Sequence, residues 1–179
     1  IQFAIVSARV QFSRVPTLMQ AARAELPSAN LYGWKARAYE DAWVEREERY
    51  HQCEEIARLS ASRRERGALL VRYLASSCVG LGLAKAGFVA QLAYGCAGCV
   101  DSVNVRRLGL DFDLGDRRYR MKYQHTPAQR ATLASWYVST CEALGGPGVL
   151  WDDWCAEMAR AYPQHFPTPD HASRWHLTC

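Results

Sequence analysis

An aspartate that follows a glycine-rich turn and a short apolar helix is the residue of this sequence best placed to do chemistry. Asp101 lies in a run that reads Cys-Val-Asp-Ser-Val-Asn from position 99 to 104, and a helix would begin after it. A carboxylate in this place can cap the helix. It can also stabilise a cationic sugar or activate a nucleophile. The sequence alone leaves both roles open for Asp101.

Two glycines ahead of this aspartate have the spacing of a phosphate-binding turn. Gly80 and Gly82 interrupt a helical pattern, and an apolar helix follows from about Leu83 to Tyr94. Glycine lets the backbone bend sharply, and the amide groups at the start of the next helix face outward with partial positive charge. Such amides can anchor a nucleic-acid backbone without reading its sequence. A plain turn between two helices is the alternative interpretation.

Polar and basic side chains surround these two features. Lys85 lies one turn into the apolar helix, and Asn104, Arg106 and Arg107 follow Asp101 in a short basic segment. All four are candidate DNA contacts, although exposed surface side chains are the ordinary alternative. The net charge of the chain is +4, which weakly favours a polyanionic partner.

Residues 78–109 resemble the signature of the helix-hairpin-helix DNA glycosylase superfamily. The matching segments are Gly80-Leu81-Gly82, the apolar helix, Val100-Asp101-Ser102 and Arg106-Arg107-Leu108-Gly109. The resemblance implies an all-α fold, a hairpin that holds a DNA phosphate and a catalytic Asp101. The Lys-Ala-Gly-Phe sequence of the helix and the motif at 99–104 are also similar to phage-type members. Those members include predicted thymine-hypermodification enzymes and proteins with no assigned role.

The sequence departs from the family pattern at three places. Cys78-Val79 stands where leucine-proline usually precedes the hairpin, and Val103 occupies the place of a frequent histidine. Lys85 lies one position beyond the nucleophilic lysine of the bifunctional glycosylases, so we assign it no catalytic role. The C-terminal part also lacks a four-cysteine iron–sulfur pattern.

The resemblance implies a protein that acts on duplex DNA, through N-glycosidic cleavage or through modification of an already altered base. The alternative is a non-enzymatic DNA-binding or structural component of a phage particle, built on the same scaffold and contacting other phage proteins. The implied location is the cytoplasm of a host cell or the virion. No cofactor is expected.

Seven cysteines are scattered along the chain, at positions 53, 78, 96, 99, 141, 155 and 179. Their simplest interpretation is buried, reduced thiols in a reducing compartment. Cys96 and Cys99 have the spacing of half a zinc site or of a redox pair. A structural zinc site needs two more ligands at workable spacing, and the sequence offers none, so we expect no metal site.

The hydrophobic pattern predicts a single all-α domain over residues 1–179, with about seven helices and an irregular tail at 163–179. A capping box at Ser62-x-x-Glu65 and a Thr126-Pro127 start mark two of the helices. Other helices are expected at about 17–26, 31–59, 127–144 and 150–162. The charged stretch at 45–49 is either a solvated face of the second of these or a loop that interrupts it, and glycines and a proline at 145–148 separate the last two. Trp34, Trp43 and Tyr50 are expected in the core. No apolar run approaches the roughly 18–20 residues of a membrane span. The opening Ile-Gln-Phe without methionine suggests a fragment or a processed product.

Overall fold

The computed structural model describes residues 1–7, 14–24, 31, 33–114, 116–119, 121, 125–164 and 170. These residues form helices and connecting turns, without strands, which confirms the predicted all-α class. The helices number nine rather than about seven, with one 3-10 turn at Arg117–Tyr119. They are α1 (Gln2–Val6), α2 (Val15–Arg23), α3 (Gly33–Val44), α4 (Arg46–Arg58), α5 (Arg63–Ser77), α6 (Leu83–Tyr94), α7 (Ser102–Arg107), α8 (Pro127–Ala143) and α9 (Gly146–Ala161).

Local capping signals begin the two helices at the centre of the fold. In α5, Glu65 N donates to Ser62 Oγ (3.2 Å) while Ser62 N donates to Glu65 Oε2 (2.8 Å). In α8, the same reciprocal pair joins Thr126 and Gln129, and Pro127 occupies the first helical position. Each pair satisfies two amides that the first turn leaves without partners. Helix α5 packs against both α8 and α6, so these two capped helices form the middle of the molecule.

One predicted helix start is wrong, and the structure decides one alternative. The helix expected at 31–59 breaks at Glu45, at the beginning of the charged stretch 45–49 where an interruption was an alternative. Arg46 Nη1 donates to the Trp43 carbonyl (2.9 Å) and satisfies an acceptor that the break releases. The last helix begins at Gly146 rather than near 150, with Gly145 as its N-cap. Pro147 fits its first turn because that turn needs no amide there. The segment 145–148 is therefore mostly helix, not a separator.

The core placement predicted for three aromatic residues is also wrong. Trp34, Trp43 and Tyr50 are 42%, 55% and 58% exposed. Helix α3 instead buries the opposite face, with Lys35 and Tyr39 on it. Lys35 is 1% exposed and its Nζ donates to the Val6 carbonyl (3.0 Å), which ties α3 to the end of α1.

The apolar interior consists of one large cluster and one small one. The large cluster joins α5, α6, α8 and the segment 96–100 between α6 and α7. The small cluster joins α1, α2, α3 and α9 through Val6, Val15, Met19, Tyr39 and Cys155. Most of the irregular tail predicted at 163–179 lies outside the described residues. Among the described residues, no helix has the length and apolarity needed to cross a bilayer.

The turn after α6 passes through the interior, and glycines on α5 and α6 leave space for its backbone. A Cβ atom at Gly67 of α5 would lie 2.2 Å from the Cys96 carbonyl oxygen. A Cβ atom at Gly87 of α6 would lie 2.4 Å from the Gly98 carbonyl oxygen and 2.7 Å from Tyr137 Oη. Backbone therefore packs directly against backbone at both positions.

Replacing Gly87 by alanine tests this close packing. Alanine in a helix interior normally adds about 1 kcal/mol of stability relative to glycine. At Gly87 the added methyl must displace backbone, so we expect Gly87→Ala to lower the unfolding free energy by about 1–3 kcal/mol. Gly148 of α9 is the matched control, because a Cβ atom there meets nothing within 4 Å. Urea unfolding of both variants measures the effect, and equal stabilities would contradict the packing.

Candidate functional site

The segment before Asp101 is fixed by two buried side chains. Tyr137 Oη donates to the Gly98 carbonyl (2.8 Å) and accepts from the Val100 amide (2.9 Å). Gln91 Oε1 accepts from the Cys99 amide (3.1 Å). A buried backbone group without a partner costs about 1–3 kcal/mol, so these bonds allow irregular backbone to lie in the core. The sequence signal for this network was Gln91, the one amide side chain in the mostly apolar helix α6. The sequence analysis did not assign it a role.

Asp101 is the N-cap of α7. The Asn104 amide donates to Asp101 Oδ1 (2.9 Å), and the Val105 amide donates to the Asp101 carbonyl (2.9 Å). The Asp101 side chain remains partly exposed. Asn104 is 8% exposed, and its Nδ2 donates to the Cys99 carbonyl (3.0 Å). The structure thus places the Asn104 side chain in the interior, where it helps to fix the segment that leads to Asp101.

The hairpin between α5 and α6 leaves one helix start open. Gly80 has a φ of +79°, a backbone conformation that residues other than glycine rarely adopt. Gly82 is the N-cap of α6 in an extended conformation, and no side chain caps the helix. A Cβ atom at Gly82 would meet nothing within 4 Å, so the approach to this helix start is clear. Trp34 lies against the other glycine, with its Cζ3 atom 2.9 Å from where a Gly80 Cβ would be.

The three basic side chains predicted here have different environments. Lys85 is half-buried, and its Nζ donates to Ser7 Oγ (3.0 Å) just after α1. Arg107 forms an ion pair with Asp153 Oδ2 on α9 (3.1 Å). Arg106 is exposed, and its Nε donates to the Ser102 carbonyl within α7 (3.2 Å). Arg106 therefore presents the most accessible positive charge of the three.

The segment that leads to Asp101 lies along α6. A Cβ atom at Gly87 of α6 would lie 2.4 Å from the Gly98 carbonyl oxygen, and Gln91 of α6 bonds to the Cys99 amide. Burial and, to a smaller extent, the Asp101 carboxylate raise the pKa of the Cys99 thiol to about 12, while the Lys85 ammonium lowers it. The structure therefore connects the uncapped helix start and the partly exposed carboxylate, which the sequence had predicted separately, through one buried segment.

The described cysteines are all buried. Burial also raises the pKa of Cys53 and of Cys141 to about 11, so these thiols stay protonated and unreactive at neutral pH. Cys96 Sγ donates to the Tyr94 carbonyl (3.1 Å). In the part of the chain that the structure describes, no three histidine, cysteine or acidic side chains are grouped as a metal site requires.

Comparison with known proteins found no family model that matches this chain, and no match among curated proteins or solved structures. The resemblance to the helix-hairpin-helix glycosylases therefore rests on the residues of the hairpin and the Val-Asp motif.

Two substitutions at Asp101 separate its capping role from its charge. Asparagine caps a helix as well as aspartate does, whereas alanine loses about 1 kcal/mol. We expect Asp101→Ala to lower the unfolding free energy by about that amount and Asp101→Asn to leave it nearly unchanged. Thr126→Ala, which removes the cap of α8, calibrates the loss. Equal stability of wild type and Asp101→Ala would contradict the capping bond.

The buried thiols predict a loss of stability at alkaline pH. An unfolded thiol ionises near about pH 8.5, while Cys99 and Cys141 in the fold stay protonated to higher pH. Above about pH 8.5 the folded state therefore binds more protons than the unfolded state. The unfolding free energy should be constant below that pH and then fall by up to about 1.4 kcal/mol per pH unit for each thiol.

Urea titrations across this range measure how steeply the unfolding free energy falls with pH. Cys141→Ala should reduce that slope by the contribution of one thiol, up to about 1.4 kcal/mol per pH unit. A flat profile between about pH 8.5 and 11 would contradict the burial of these groups.

Proposed function

We propose that the chain acts on DNA, with the hairpin at Gly80–Gly82 binding a backbone phosphate and Asp101 acting on a nucleotide that has left the base stack. One observation carries the proposal. Helix α6 begins at exposed Gly82 without a side-chain cap, and the segment that leads from α6 to the partly exposed Asp101 carboxylate is bonded to α6 through Gln91. A helix start suited to an anion and a carboxylate that can stabilise a cation thus belong to elements that are bonded to each other.

Phosphate binding rests on the amide groups in the first turn of α6. They carry the partial positive charge of the helix start, and the cap residue Gly82 has no side chain to compete for them. Exposed Arg106 adds a full positive charge near the start of α7. Lys85 contributes to the local potential although its ammonium group is bonded to Ser7. Arg107 contributes less because Asp153 offsets its charge.

The chemistry proposed for Asp101 follows from the charge that develops when an N-glycosidic bond breaks. The sugar becomes cationic as the base departs, and a fixed carboxylate beside it lowers the energy of that state. The same carboxylate could serve in the modification of an already altered pyrimidine. In either reaction the nucleotide must be flipped out, because its reacting atoms are not accessible inside the duplex.

A second candidate is a DNA-binding or structural protein without catalysis, for example a component of a phage particle. The observation in its favour is that Asp101 Oδ1 already accepts a hydrogen bond from the Asn104 amide. In this alternative Asp101 only caps α7, and the hairpin alone contacts the DNA.

Gly82 offers a sharp test of the phosphate contact. The backbone of Gly82 is extended, at φ −95° and ψ −177°, so a side chain is allowed there. Aspartate at this N-cap would occupy the amides and repel a phosphate while supporting the helix. We expect Gly82→Asp to weaken DNA binding at least about tenfold, and Gly82→Ala, the matched control, to bind much as wild type does.

The same experiment decides between catalysis and binding alone. Wild type, Gly82→Asp and Asp101→Asn are incubated with duplexes that carry normal or modified bases, and base release or substitution is measured. Turnover by wild type that is lost in Asp101→Asn supports the enzymatic function proposed for Asp101. Binding that falls steeply with added salt, without turnover, supports the second candidate. Absence of DNA binding at low salt would overturn the enzyme and the DNA-binding form of the second candidate, and it would leave a structural role in assembly.

A further inference from the structure

A second positively charged site lies away from Asp101, between α4, α5 and the start of α8. The site is a cavity of about 590 Å³. Its apolar wall includes Ile56, Leu59 and Leu69, and the last turn of α5 closes one side. That turn leads directly into the hairpin. The cavity is large enough for a phosphate together with part of a sugar or a base.

The charged groups of the cavity are cations without a matching anion. Arg72 and Arg130 both line it, and among the described residues no aspartate or glutamate does. Among the described residues, no hydrogen bond or ion pair engages Arg72, while Arg130 uses only its Nε, which donates to the His125 carbonyl (3.0 Å). Ser76 Oγ is buried and has no partner. Two guanidinium groups and a hydroxyl therefore border one space with their hydrogen-bonding capacity largely unused.

Two other polar side chains of the lining already have partners. Gln52 donates through Nε2 to Glu55 Oε2 (3.2 Å), and Glu55 is not among the described residues that line the cavity. Ser77 Oγ, in contrast to that of Ser76, donates to the Tyr73 carbonyl (2.7 Å). The two arginines and Ser76 are therefore the groups best able to donate hydrogen bonds to a bound anion.

We propose that this cavity binds a phosphate group through Arg72, Arg130 and Ser76. Guanidinium groups pair with phosphate oxygens through two parallel hydrogen bonds, and a hydroxyl donates a third. The bound phosphate supplies the acceptors that the cavity lacks. The apolar wall accommodates the sugar or base attached to it. The phosphate comes from the DNA backbone or from a free nucleotide, and this site does not depend on the function proposed for the hairpin.

Binding of three probes tests the proposal: inorganic phosphate, thymidine monophosphate and a short DNA duplex. Calorimetry at low salt compares wild type with Arg72→Gln, Arg130→Gln and Ser76→Ala. Arg160→Gln is the control, because it removes the same charge from an exposed position on α9. Circular dichroism establishes that each variant is folded. We expect Arg72→Gln to weaken binding of at least one probe about tenfold or more, and Arg160→Gln to change it less than about twofold.

The probes distinguish the sources of the phosphate. Arg72-dependent binding of phosphate or thymidine monophosphate identifies a site for a small phosphorylated ligand. Arg72-dependent binding of the duplex alone identifies a contact to the DNA backbone. DNA binding that depends on Gly82 but not on Arg72 would overturn this inference and leave the function proposed for the hairpin intact. Arg72-dependent phosphate binding by a protein that fails to bind DNA would support the inference and reject that function. No binding of any probe would overturn it as well.

Discussion

The burial of an irregular segment of backbone between α6 and α7 is the constraint on which the rest of the structure depends. Its amides and carbonyls would each cost about 1–3 kcal/mol without partners. Tyr137 satisfies two of them, Gln91 a third and Asn104 a fourth. These side chains come from three different helices, so their hydrogen bonds to the segment also connect α6, α7 and α8 to one another.

The buried segment also determines where the partly exposed Asp101 lies. Because Cys99 and Val100 are fixed in the core, the start of α7 has a defined position relative to α6. The start of α6 has no side-chain cap, and the start of α7 is capped by a carboxylate. The function proposed for the chain uses both helix starts.

The sequence predicted the features that local chemistry decides. The capping box at Ser62, the helix start at Thr126 and the bounds of α6 follow from neighbouring residues, and all are confirmed. The sequence predicted buried thiols at Cys96 and Cys99, but it did not predict that the backbone of their turn lies in the interior, because that placement depends on Tyr137, which is distant in the sequence. The exposure of Trp34 and Trp43 was missed for a related reason. The buried face of α3 is set by Lys35 bonding to the end of α1, a contact between distant segments. The phosphate cavity likewise draws its arginines from two helices and could not be seen in a linear pattern.

Hydrogen exchange of individual amides tests the central claim, that a segment fixed in the core positions Asp101 relative to α6 and that the first turn of α6 is uncapped. Cys99 and Val100 belong to no helix, so ordinary turn amides in their place would exchange quickly. The account predicts that both exchange only through global unfolding, as slowly as the middle of α5 does. It also predicts rapid exchange at Leu83 and Ala84, in the uncapped first turn of α6. Rapid exchange at Cys99 and Val100 in the native protein would contradict the account.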